Sequence, residues 1–327
     1  IKIDSNGEIR VLLTVQSQNL PVILGEPSVS LDNEESHRTM YLATISNDGA
    51  SILNSTYLNN FNGIGYSLDV DKNNNTYISG TLFSKDVPKI NNSYRIPKCG
   101  SYGFVSMLDK DYKVEWVNIL SNTKHNEKNL ESFTSAFSIS ISKKDEIFVT
   151  GTTTSKSFPI TAMAIQDISG KNHEAFICSL SNEGKIIWST YFGGEAEIYG
   201  LKILPGTLKN IIVAGIVMCK YPSPESDSFY NMKYSYQKFV KGNNAFIASI
   251  SIDGEEINWS TIYGGSSTEV IYDFALSPFL SNISLVGGVS SSNIPFFGDT
   301  GLDGYNMKML LITDKESSNS ITVDIFD

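Results

Sequence analysis

Positive charge, cysteine, histidine and long apolar runs are all scarce in this chain, and each shortage narrows what it can be. Lysine and arginine number 25 against 35 aspartates and glutamates, a net charge of -10. The isoelectric point is about 4.9. Such a surface repels a phosphate backbone, so no nucleic-acid partner is expected. No apolar run reaches the roughly 18 residues that a membrane-spanning helix needs, so no membrane insertion is expected. The three cysteines, Cys99, Cys178 and Cys219, are odd in number and widely spaced. They form neither a disulfide framework nor a zinc pattern. The three histidines, His37, His125 and His173, are scattered through polar stretches. No Ser-His-Asp arrangement can be built on them from the sequence. The nucleophile-elbow, zinc-protease and phosphate-loop motifs are missing too. The expectation is therefore no catalytic set and no cofactor.

Helical periodicity is also missing, and what replaces it is repetition. WSTYFGG at 188–194 returns as WSTIYGG at 259–265. Twelve or thirteen residues before each lies a second shared phrase, AFICSL at 175–180 and AFIASI at 245–250. The aromatic of that phrase recurs at Tyr41, Phe104, Phe176 and Phe246, with Met309 standing in for it at the end. The mean step is about 67 residues, and recurrence at a steady step is the mark of a chain built from repeat units. Fourth-run phrases follow each: NSTYLNN from Asn54, WVNILSN from Trp116, the two WST copies, and ITVDIFD from Ile321.

Two earlier runs complete each unit. One carries a small residue and then a proline, as in TYISGTLFSKDVP at 76–88, FVTGTTTSKSFP at 148–159, VAGIVMCKYP at 213–222 and LVGGVSSSNIP at 285–295. The copy at 10–21 has Leu13 where the others have Gly80, Gly151, Gly215 and Gly287. The other reads IKID, YSLDVD, FSISIS, YGLKIL and DFALS. Runs of four to seven alternating residues signal strands. Links such as SNEGK, SIDGEE and DKNNN signal hairpin turns.

Five units of four antiparallel strands predict an all-β chain folded as a five-bladed β-propeller. The units are read as 1–60, 61–122, 133–194, 195–265 and 266–327, forming one domain over 1–327. Trp116, Trp188 and Trp259 occupy equivalent places and are expected to fill space between blades. The mid-strand glycines are expected where backbones approach closely.

The combination FVTGTTTSKSFP, then AIQ at 164–166, then EAFICSL and WSTYFGG resembles the SBBP repeat, a bacterial β-propeller repeat family. The second and fourth units are similar to it as well. The resemblance implies a bacterial protein that is secreted or held at the cell surface. It brings no catalytic residues with it.

Two residue groups are candidates for binding. Asp69, Asp71, Asn73 and Asn75 place oxygens at alternate positions, as calcium loops begin. They lack the turn glycine and the closing glutamate of such a loop, so a hairpin turn is the competing reading. The fourth unit carries an insertion, SPESDSFYNM at 223–232. It brings Phe229 and Tyr230 close in sequence to Tyr221, Tyr234, Glu225 and Asp227. Aromatic faces beside carboxylates suit a sugar or a protein surface; an aromatic loop folded on its own blade is the competing reading. The function expected is a non-enzymatic binding or structural module with a glycan or protein partner. A polysaccharide lyase or glycosidase and a virion or appendage component are the alternatives.

Overall fold

In the computed structural model the described residues are 1–17, 19–24, 38–59, 61–83, 100–120, 132–170, 173–194, 196–206, 209–218, 242–277, 282–291 and 293, with the backbone of 306–315 and 320–326. They form twenty strands in five four-stranded sheets, each strand hydrogen-bonded to its neighbours in sequence. Sheet 1 holds β1 (Lys2–Ile3), β2 (Ile9–Val15), β3 (Thr39–Ile45) and β4 (Ile52–Leu58). Sheet 2 holds β5 (Gly63–Val70), β6 (Thr76–Leu82), β7 (Tyr102–Leu108) and β8 (Val114–Ile119). Sheet 3 holds β9 (Thr134–Ile141), β10 (Ile147–Thr153), β11 (Glu174–Leu180) and β12 (Ile186–Phe192). Sheet 4 holds β13 (Glu197–Pro205), β14 (Asn210–Met218), β15 (Asn243–Ser251) and β16 (Ile257–Tyr263). Sheet 5 holds β17 (Glu269–Leu276), β18 (Asn282–Val289), β19 (Asn306–Lys315) and β20 (Ser320–Phe326). The chain is all-β, and its architecture is that of a β-propeller. The strands follow the expected four-run units in order.

By contacts the chain divides into two compact units: 1–149 with 153–159 and 178–187, and 150–152 with 160–177 and 188–327. In the first, a core of Met40, Leu42, Phe61, Ile78, Phe104 and Leu108 joins sheets 1 and 2. In the second, Ile212, Ile247, Trp259, Phe274 and Leu285 join sheets 4 and 5. Full burial of one such aliphatic or aromatic side chain contributes about 1.5–3 kcal/mol, so sheet faces of this composition are stable only when stacked.

One hairpin turn recurs. Gly7, Gly49, Asn74, Tyr112, Asp145, Gly184 and Gly254 all take φ between 63° and 80°. Each donates its N–H to the carbonyl three residues back, at 2.8–3.0 Å. The first residue of the turn, Asp or Ser, accepts backbone N–H groups with its side chain. Asp71 Oδ1 accepts from Asn73 and Asn75, both at 2.9 Å, and Asp109 Oδ1 from Asp111 and Lys113, both at 2.9 Å. This explains why Asp, Ser, Asn and Gly crowd these links.

The first strands of sheets 2, 4 and 5 each carry a β-bulge, at Tyr66, Leu201 and Tyr272. The mid-strand glycines answer it. A Cβ on Gly80, Gly215 or Gly287 would run into the carbonyl of Ile64, Tyr199 or Val270 respectively. Leu13 stands at the matching position of β2, opposite Tyr41 on β3.

The register of sheet 5 differs from the sequence alignment. Gly80 pairs with Phe104 and Gly215 with Phe246, but Gly287 pairs with Lys308, and Met309 lies opposite Val286. The run MKMLLIT has apolar residues at both parities, so alternation alone does not fix its register.

The repeated tryptophans bridge successive sheets. Trp116 on β8 lies against Gly184 in the β11–β12 hairpin and donates its indole N–H to Asn182 O at 2.9 Å. Trp188 on β12 lies against Gly254 in the β15–β16 hairpin and donates to Ile252 O at 3.1 Å. Trp116 and Trp188 therefore each have a partner in the Ser-x-x-Gly turn of the next sheet. Sheet 1 reverses the arrangement. Asn54 stands at the tryptophan position, and Tyr112 stands at the glycine position of the next sheet's turn. The Tyr112 hydroxyl bonds Thr44, and its ring lies under the Arg10 guanidinium at 5.3 Å.

Candidate functional site

The hairpins lie at one end of the strands. The connections from second to third strand, and from sheet to sheet, lie at the other. In the second unit this other end holds two buried glutamates. Glu174, fully buried, opens β11; Glu269, 2% exposed, opens β17.

Glu174 gathers the connections around it. Gly170 N donates to its Oε1 at 2.9 Å, and Gln166 Nε2 approaches its Oε2 at 3.5 Å. The Gly194 N–H is a further donor. A Cβ at Gly193 would collide with the same carboxylate. That accounts for the first glycine of WSTYFGG: it leaves room for an acid, not for a phosphate. Burial pushes the Glu174 carboxyl up to about 7, against the lowering effect of the Gly170, Gln166 and Gly194 hydrogen bonds.

Glu269 repeats the theme. Its Oε2 accepts Gly265 N at 2.7 Å and its Oε1 accepts Ser291 N at 3.1 Å. A Cβ at Gly264 would meet both Glu269 and Asn244.

Gln166 links the AIQ phrase to the WST phrase. Its N–H donates to Thr190 Oγ1 at 2.9 Å, its carbonyl accepts Tyr191 N at 3.1 Å, and its Oε1 accepts Gly193 N at 3.0 Å. Thr161 N donates to Ser189 O at 3.3 Å. The connection after β10 thus runs along β12 and covers part of its outer edge. Sheet 1 does the same: Ile23 N and Leu24 N donate to Ser55 O at 3.1 and 3.0 Å.

Two of the four candidate calcium ligands, Asp69 and Asp71, have their carboxylates taken up by other groups. Asp71 is engaged by its own turn and by Asn75 Nδ2 at 2.8 Å and the Tyr77 hydroxyl at 3.3 Å. Asp69 Oδ2 accepts Ser140 Oγ at 3.1 Å and Ile141 N at 2.9 Å, while its Oδ1 pairs with Lys2 at 3.3 Å. Asn74 lies at the positive-φ position, and the segment is a hairpin turn. Among the described residues no group of three His, Cys, Asp or Glu side chains is placed to hold a metal.

Tyr221, Glu225, Asp227, Phe229, Tyr230 and Tyr234 lie outside the described residues, as do His37, His125, Cys99 and Cys219. Cys178 is fully buried, and burial pushes its thiol up. His173 stacks on Tyr199 with ring centroids 5.2 Å apart. No described helix is long and apolar enough to cross a membrane.

Glu174, Glu269 and Gln166 were not singled out from the sequence. The available signal was the acid or amide just before the AFI phrase, together with the double glycine. It becomes readable only once strand ends and linkers are known to meet.

No family model and no curated protein sequence matches the chain. Among solved structures, it is similar to Kuenenia stuttgartiensis hydrazine synthase at 10% identity and TM-score 0.48, covering 89% of this chain and 62% of that one. It is also similar to the β-propeller domain of the Trilobed protease of Pyrococcus furiosus at 9% identity and TM-score 0.36, covering 98% and 78%. B. megaterium levansucrase is similar at 7% identity and TM-score 0.37, covering 100% of this chain and 83% of that one. The chain spans 62% of the hydrazine synthase and 50% of a similar Pyrococcus horikoshii acylaminoacyl peptidase. Several of these structures are enzymes, but likeness at this level carries no argument about activity.

Proposed function

We propose that the chain is a non-enzymatic binding or structural module of a bacterial surface or secreted protein. It engages a glycan or a protein through the loops at the end where second strands pass to third strands. The resemblance of its repeats to the SBBP family belongs to this reading. One observation supports it above the others. The two buried glutamates at that end, Glu174 and Glu269, spend their oxygens on backbone N–H groups of their own connections. They brace the bases of the loops, as a rigid platform for recognition requires.

A polysaccharide-processing enzyme is the second reading, favoured by a single feature. Glu174, raised to about 7, has the proton affinity of a general acid. A glycosidase also needs a second carboxylate roughly 5–9.5 Å away across the substrate.

The test is thermal unfolding of the full chain against a glycan panel, alongside an assay for released reducing ends. A ligand at a hundred times its dissociation constant adds about 2.7 kcal/mol. The expected result is a sugar-dependent rise that is lost in Tyr230→Ala, with no release of reducing ends. Sugar release by the native chain that disappears in Glu174→Gln would replace the binding reading with the enzymatic one. No shift with any sugar would leave a protein as the partner.

A further inference from the structure

We draw no further inference here: the strongest candidate, the apolar surface patch of Met163 and Ile168 on the connection between β10 and β11, 72% and 75% exposed, carries nothing because nothing in the structure shows what covers it.

Discussion

Glu174 shows how one residue can couple fold and solution conditions. Its carboxyl sits near 7 in the folded chain, against an ordinary value of 4.5. The folded state therefore holds the proton more tightly than the unfolded state does. The stabilising contribution is present in full below about pH 4.5 and is lost as pH rises through about 7. Urea unfolding of the native chain and of Glu174→Gln at a series of pH values isolates the effect. The native chain should lose up to about 3 kcal/mol relative to the variant between pH 4.5 and 8. A gap that stays constant with pH would contradict the account. This residue was not legible in the sequence. Thirty-five acidic side chains look alike until one is found buried among three hydrogen-bond donors, from Gly170, Gln166 and Gly194.

At the scale of elements, the repeated phrases are halves of contacts rather than independent signatures. Trp-Ser-Thr and Ser-x-x-Gly were both visible in the sequence, but their pairing across sheets was not, because 64 and 66 residues separate the partners. The Asn54 and Tyr112 reversal explains why the first copy of the phrase drifts. When the tryptophan is missing from one side, a ring enters from the other. Tyr112→Gly should cost about 3–4 kcal/mol, since it removes a buried aromatic and its bond to Thr44. Adding Asn54→Trp should restore at least half of that loss by laying an indole on the glycine so made. The double-mutant cycle should then show a favourable coupling of about 1–3 kcal/mol. Simple additivity would mean that the two positions are not partners. The strands of the first four units were legible because alternation and turn residues agree there. Sheet 5 escaped the alignment by one residue because its apolar run alternates in neither register decisively.

For the whole molecule, composition sets colloidal behaviour more than it sets shape. With a net charge of -10 at pH 7 and an isoelectric point near 4.9, self-repulsion vanishes on the acid side. Light scattering after a fixed heat pulse should peak close to pH 4.9, although protonated Glu174 favours the folded state there. A peak at neutral pH would show that charge is not what keeps the chains apart. The architecture was readable from period and phrase order. The two compact units were not, because their boundary falls inside repeats that look continuous in the sequence.

The connections that lie along β4 and β12 have a consequence for crowding. A bare outer strand is a template on which any neighbouring backbone can crystallise a new strand. Here Ser55 already spends its carbonyl on Ile23 and Leu24, while Tyr191 spends its N–H on Gln166. At those positions a second molecule meets occupied groups instead of an open ladder. Many copies can therefore stand shoulder to shoulder, as on a densely coated surface, without these two edges zipping together.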